Sequence, residues 1–275
     1  MIVVTGATGN IGRPLTKALA EAGGQVVAVS RHAVDVPDGV RHQVADLSVP
    51  ESLDLKGAKA LFLLLSGDLH SVGASPATLI ERAAAHGVRR VVLLSSLGVR
   101  TRPFGTTRIE LRGLEDVLRE SGLDWAVLRP GGFASNALWW AESVRAQRTV
   151  AAPFGDTGLP IIDPADIAEV AATALLSDRN GVLELTGAEL ITPRQQAQVI
   201  ADALGEPVRF HELTRAEAKA GMEKMMPGEL ADDTLDIIGS PTADELAVSP
   251  DVEKVLGKAP RTFADWTARH VEAFR

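Results

Sequence analysis

Hydrophobic and polar positions along the first half of this chain switch repeatedly between the period of a strand and the period of a helix. Met1–Thr5 is a short apolar, β-branched run, as a buried parallel strand requires. Leu15, Ala18, Leu19 and Ala22 then recur at helical spacing, which predicts a helix from Ile11 to about Ala22, ended by Gly23-Gly24. Gln25–Ser30, Val40–Ala45 and the uninterrupted apolar run Lys59–Leu65 predict three further strands. Pro76–His86 reads as a helix, Arg90–Leu94 as a strand, about Thr107–Glu120 as a helix and Asp124–Leu128 as a strand. Such alternation is the signature of a parallel sheet with helices on both faces, so the expected fold class is α/β with a doubly wound sheet.

The second half is less regular. Asp163-Pro164-Ala165-Asp166 opens a helix to about Leu176: Asp163 can cap, Pro164 suits the first helical position, and Asp166 stands where a capping-box acid would. Val182–Thr186 predicts a strand, and Thr192–Leu204 a helix capped by Thr192 with Pro193 behind it. Between Thr214 and Gly239 lie Met222, Met225 and Met226, three of the four methionines, with acidic residues interleaved. Flexible thioethers suit a lid over a substrate pocket, and the same pattern suits amphipathic helices packed on a core. A last helix spans about Thr262–Phe274.

The turn out of the first strand changes the picture from fold to chemistry. Thr5-Gly6-Ala7-Thr8-Gly9-Asn10-Ile11-Gly12 follows a strand, opens a helix and leads to a second strand, the context that gives a glycine triplet its meaning. Gly6 allows a sharp turn, Gly9 a close approach of backbone to a pyrophosphate, and Gly12 close packing of the helix. The helix start offers free N–H groups and a positive dipole end to the phosphates. About 20 residues on, an NAD site carries Asp or Glu for the ribose 2′-hydroxyl, and here Ser30-Arg31 stands instead. A guanidinium pairs with a 2′-phosphate that a carboxylate would repel, so NADP(H) is expected, with Arg31 as discriminator and Ser30 as helper. Arg31 reads otherwise as a solvated loop cation. The expected organisation is a Rossmann domain over 1–150, with 163–187 returning to it, and a smaller, mostly helical substrate-binding or lid region over 188–275.

Composition narrows the partners. The 275 residues allow a large core, and the net charge of −8 argues against nucleic acid or an anionic membrane surface. Cysteine is absent, which excludes disulfides, thiolate chemistry and thiolate metal sites. No apolar run reaches membrane-spanning length, and no signal-peptide pattern precedes the first strand, so a cytoplasmic monomer or homodimer is expected. His32, His42, His211 and His270 are scattered without metal-ligand spacing, and no metal is expected. His86 reads as a dipole partner at a helix end.

The glycine turn with Arg13, the Ser30-Arg31 pair and Ala45-Asp46-Leu47 resemble an atypical short-chain dehydrogenase/reductase of the NmrA-like group. Ser121-Gly122-Leu123-Asp124-Trp125 leading to Leu128-Arg129-Pro130-Gly131-Gly132-Phe133, with Asn136 beyond, extends the resemblance. So do Asp163–Ala168 and Leu185–Glu189, and the match covers roughly residues 1–210. The resemblance implies that Asp46 and Leu47 border the adenine and that Leu65 and Ser66 pass under the cofactor. It implies also that Pro130, Gly131 and Phe133 flank the nicotinamide. Larger relatives carry Tyr-x-x-x-Lys on the helix after the Ser95-Ser96 strand. This chain has no tyrosine, and the equivalent positions are Leu111 and Glu115. Leucine has no proton to give, and an exposed glutamate is ionised near neutral pH, so that mechanism is excluded.

Hydride transfer leaves the hard chemistry to the cofactor. A quinone or aromatic polyketide-type ketone delocalises its own developing charge and takes its proton from water or its own phenol. The expected activity is NADPH-dependent reduction of such a bulky conjugated carbonyl. Ser95 or Ser96 would bind the substrate oxygen, and Phe133, Asn136 and the methionines would line the pocket. The serines read equally as strand-end residues satisfying backbone groups. His70 is a proton-donor candidate or a solvated loop residue. The alternative function is a non-catalytic NADP(H)-sensing regulator of the NmrA type.

Overall fold

The computed structural model describes residues 1–65 and 77–275. In chain order the first elements are β1 (Ile2–Val4), α1 (Gly12–Glu21), β2 (Val26–Ser30), β3 (Arg41–Val44), β4 (Ala60–Leu63) and α2 (Ala77–Ala85). β5 (Arg90–Leu94), α3 (Gly98–Thr101), α4 (Thr106–Glu120), β6 (Asp124–Pro130), α5 (Ala141–Gln147) and β7 (Thr149–Ala152) follow. Then come α6 (Pro164–Leu176), β8 (Gly181–Leu185), α7 (Pro193–Leu204), β9 (Arg209–Glu212), α8 (Arg215–Met222) and α9 (Gly228–Gly239). The chain ends with α10 (Ala243–Leu246), α11 (Asp251–Leu256) and α12 (Phe263–His270).

Two compact units form. The first comprises Met1–Pro130, Pro164–Leu185 and Asp251–Lys258; the second comprises Gly131–Asp163, Thr186–Pro250 and Ala259–Arg275. The expected boundary near residue 150 therefore falls at Pro130, and the expected return at 163–187 is Pro164–Leu185. A second return, Asp251–Lys258, was not expected: this short stretch is tied to β8 by the Asp251 carboxylate, which accepts from the Glu184 N–H at 3.0 Å.

The first unit holds a seven-stranded sheet in the order β3-β2-β1-β4-β5-β6-β8, parallel throughout. Its core is Val3, Val27, Val29, Leu61, Leu63, Val91, Leu93 and Val127 of the strands against Leu79, Ile80, Leu114 and Leu118 of α2 and α4. Full burial of each such side chain stabilises by about 1.5–3 kcal/mol, and strands covered on both faces explain the apolar runs that mark them in the sequence. Two details depart from expectation. Ala22 is exposed, and Thr16 takes its place on the buried face of α1. β4 stops at Leu63, because the next N–H, of Leu64, is bonded by the Thr5 hydroxyl rather than by a strand.

In the second unit β7 and β9 pair in parallel, Thr149 opposite Arg209. Neither was expected, since each is four residues long and finds its partner about sixty residues away. The core joins Ala137, Val144, Val150 and Ile200 to Trp266, which stacks on Phe263 at 5.5 Å and on His270 at 4.6 Å. α7 starts as read from the sequence, with a reciprocal Thr192–Gln195 capping box behind Pro193. The last predicted helix is α12 followed by a tighter 3₁₀ turn, Val271–Phe274. Asp163, buried in this unit, pairs with Arg269.

Candidate cofactor site

The sheet order reverses between β1 and β4, and ligands of open parallel sheets collect outside the carboxyl ends of the strands at such a point. Thr5 fastens the two strand ends together. Its hydroxyl, fully buried, accepts from the Leu64 N–H at 2.8 Å and faces the Leu64 and Phe62 carbonyls at 3.0 and 3.1 Å. Of the cradle residues, Thr5 is thus spent on the strands.

The three glycines have separable reasons. Gly6 takes a left-handed φ of +63°, which a side chain would strain. A Cβ on Gly12 would lie 2.1 Å from the Gly6 carbonyl oxygen and 2.6 Å from the Ala7 Cα, so the cradle itself demands this glycine. At Gly9 the φ is not left-handed, and a Cβ would meet only the Gly6 oxygen, at 3.4 Å. The protein does not need a glycine there. A ligand lying on that backbone would. α1 has Ile11 as its N-cap, without a side-chain cap, and no acid in its first turn. The Arg13 N–H is bonded to the Gly9 carbonyl and Pro14 has none, so the helix dipole and the Gly12 N–H favour an anion. These residues fit a dinucleotide pyrophosphate.

At the ends of β2 and β3, the Ser30 hydroxyl donates to the His32 carbonyl and lies 2.8 Å from His42 Nε2. Arg31 is exposed. Asp46 is held in a turn by the Ser48 N–H at 2.9 Å. That bond, then the Ser48 hydroxyl, and lastly the nearby Arg31 charge keep the Asp46 carboxyl below the usual carboxylate range. Leu47 and Leu65 pack half-buried against the first unit's core. Ser66 and His70 lie outside the described residues.

Beyond β5, Ser95 and Ser96 part ways. Ser95 is buried, and its only proton goes to Glu115 Oε1 at 2.6 Å. Ser96 is half-buried; its Oγ accepts from the Gly98 N–H at 3.1 Å, which leaves its own proton uncommitted among the described residues. Glu115 corrects the sequence reading. It is not exposed but fully buried, and takes Arg129 at 3.0 and 2.5 Å and Arg119 at 2.7 Å besides Ser95. Burial pushes its pKa up, but the Arg129, Ser95 and Arg119 bonds outweigh that, and the net shift is downward. It stays ionised for a different reason from the one expected. Helical spacing offers only Arg119, four residues on; Ser95 and Arg129 come from outside the helix, beyond β5 and on β6, and no local pattern reveals them.

In the second unit, Phe133 bridges Ile162, with the Ala134 N–H donating to the Ile162 carbonyl at 2.9 Å. The N–H of the exposed Asn136 donates to the Phe133 carbonyl at 3.1 Å. Met222, Met225 and Met226 form the tip between α8 and α9, which Lys219–Asp232 at 2.6 Å and Arg215–Asp236 at 2.7 Å clasp together. Met225 is 62% exposed. Among the described residues no acid, histidine or cysteine cluster could hold a metal, and no helix is long and apolar enough to cross a membrane.

A family model described as NAD(P)H-binding matches residues 6–178, more than half of the sequence. The chain belongs to the NAD(P)H-binding family. Proteins similar to it over its whole length include a (4-alkanoyl-5-oxo-2,5-dihydrofuran-3-yl)methyl phosphate reductase of Streptomyces griseus subsp. griseus, 34% identical with 100% of this chain and 99% of the relative covered. An NAD(P)H azoreductase of Xenophilus azovorans is 32% identical over the same shares. Among solved structures, the NADPH-dependent quinone oxidoreductase QOR2 of Escherichia coli, complexed with NADPH, is similar with a TM-score of 0.80 and 26% identity, covering 99% of this chain and 100% of that one. The family match begins at Gly6, the first glycine of the turn after β1.

Proposed function

We propose that this NAD(P)H-dependent reductase uses NADP(H) to reduce a bulky, conjugated carbonyl compound, a quinone or an aromatic polyketide-type ketone. The observation that carries the reading is that a chain without tyrosine has whole-length relatives named for quinones, azo compounds and a conjugated furanone. All three acceptors spread the charge left by an added hydride over a π-system, so they ask little of a protein acid. NADPH, when bound, supplies the hydride, and one proton from water or the substrate's phenol completes the two-electron reduction.

The chain's own residues hold and orient. Gly6, Thr8, Gly9, Asn10, Ile11 and Gly12 form the pyrophosphate cradle, and Arg31 pairs with the 2′-phosphate beside Ser30. Asp46, Leu47 and Leu65 border the adenine side, and Pro130, Gly131 and Phe133 the nicotinamide side. Asn136 and the α8–α9 methionine tip take the substrate. Ser96, whose proton is uncommitted among the described residues, donates to the substrate oxygen. Ser95 is excluded from that task by its bond to Glu115.

Three measurements test this. With NADPH and a panel of quinones and polycyclic ketones, loss of NADPH absorbance is expected; tight NADPH binding with no turnover across the panel would instead favour a sensing role. Arg31→Asp should weaken NADPH binding roughly a hundredfold more than NADH binding, as loss of a charge-assisted pair plus a new repulsion requires, and equal losses would contradict NADP(H) preference. Ser96→Ala should lower kcat/KM roughly tenfold or more at an unchanged Tm. Ser95→Ala should mainly lower Tm, and the reverse pattern would reassign the two serines.

A further inference from the structure

Beside the cradle lies a cavity of about 550 Å³ whose wall includes Thr8 of the glycine turn, Arg13, Thr16 and Lys17 of α1, and Asp35 and Val36 of the segment leaving β2. It thus joins the pyrophosphate turn to the stretch that follows the second strand, the region where an adenosine ribose projects its 2′ position. Arg13 and Lys17 are four residues apart and share one helix face. Both are exposed, and Lys17 reaches only Glu21, at 3.8 Å. Arg13 has no ion-pair partner among the described residues. Against these two cations the wall sets one carboxylate, Asp35.

A second observation is independent of charge and of the helix start. Thr16, 2% exposed, lies on the cavity wall, and its Oγ1 has no hydrogen-bond partner among the described residues. A buried hydroxyl is ordinarily paired, so an orphan facing a cavity with two cations marks a place where a polar ligand completes the structure.

We infer that this cavity receives the 2′-phosphate of NADP(H), with Arg13 as a second specificity-determining residue alongside Arg31, and with Lys17 adding charge. The inference rests on the NADP(H) reading above and deepens it. A guanidinium presents paired donors in the geometry of two phosphate oxygens, whereas Lys17 acts as a point charge. Specificity for the phosphate is thereby divided between the β2 end and the first turn of α1, so neither arginine alone decides it.

Calorimetry with four probes, NADPH, NADH, 2′,5′-ADP and 5′-AMP, separates the cases on wild type, Arg13→Ala, Arg13→Lys and Arg31→Ala. Arg13→Ala is expected to weaken NADPH and 2′,5′-ADP roughly ten- to hundredfold, with NADH and 5′-AMP unchanged. Arg13→Lys should recover part of the loss. Because Arg13 is exposed, its variants should melt with the wild type. Unchanged binding of the phosphorylated probes by Arg13→Ala, while Arg31→Ala loses them, overturns the inference and leaves the NADP(H) reading standing. Equal loss of all four probes also overturns it, since Arg13 would then serve the shared part of the nucleotide. Wild-type protein that binds NADH as tightly as NADPH overturns the underlying reading itself.

Discussion

Gly12→Ala should lose both the cofactor and much of the protein's stability, while Gly9→Ala loses only the cofactor. At Gly12 the new methyl would press within 2.1 Å of the Gly6 oxygen and 2.6 Å of the Ala7 Cα, both backbone atoms. Neither can swing aside as a side chain could: Gly6 holds a left-handed turn and the Ala7 N–H is bonded to the Val29 carbonyl at 3.1 Å. Overpacking of this kind costs about 3 kcal/mol or more, or roughly 6–12 °C in Tm for a chain of this size. At Gly9 the same methyl meets one oxygen at 3.4 Å and displaces nothing. Gly9→Ala should therefore keep its Tm within about 2 °C and weaken NADPH binding at least tenfold, because the obstacle stands where the pyrophosphate approaches. The pair is read by thermal melting and calorimetry together. A Gly9→Ala protein that binds NADPH at wild-type strength would mean that the nucleotide does not lie on this turn.

The second large effect belongs to Glu115. Its carboxylate has no exposed surface and balances Arg129, itself nearly buried, and Arg119. Deleting one partner of a buried ion pair strands the other in a poor solvent, so Glu115→Ala should cost about 3 kcal/mol, the low end for such pairs, since Arg119 keeps Asp116 at 2.7 Å. Glu115→Gln retains the shape and an acceptor for Ser95 and should cost less. The same carboxylate gives the stability a pH dependence of known sign. Its folded pKa is depressed, so its contribution is fully present above the unfolded value of about 4.3 and is lost as pH falls through the lower folded value. Tm should thus fall below about pH 4 in the wild type and fall less steeply in Glu115→Gln. Parallel acid limbs for the two proteins would remove Glu115 from the account.

Glu115 also marks the limit of reading by local pattern. Its position falls on the apolar stripe of α4 with Leu111, Leu114 and Leu118, yet a charged residue there reads as solvated until the strands beside it are known. Ser95, twenty residues earlier, and Arg129, fourteen residues later, converge on it only because β5 and β6 pair in parallel register, Leu94 opposite Leu128. The short strands β7 and β9 were invisible for a related reason: four residues carry too little alternation, and their pairing spans the intervening helices. The lengthening of β6 to Pro130 likewise comes from β8, which supplies a partner for Arg129 and Pro130.

What the sequence settled alone are the features whose cause is local. A β-branched run followed by Gly6, Gly9 and Gly12 and an amphipathic helix allows few backbone conformations, so strand, turn and uncapped helix start follow from a dozen residues. The same holds for Thr192-Pro193 and Thr262, whose hydroxyls cap helices three residues on. Only the folded chain decided which polar groups are free to act, because a hydroxyl or carboxylate acquires its role from partners that topology delivers. Among the described residues Ser95 is spent on Glu115, Ser96 keeps its proton uncommitted, and Thr16 is buried without a partner beside a cavity, although all three look alike as isolated polar letters. Hydrogen bonding over long sequence separations, in a medium that makes each unpaired group costly, distinguishes them.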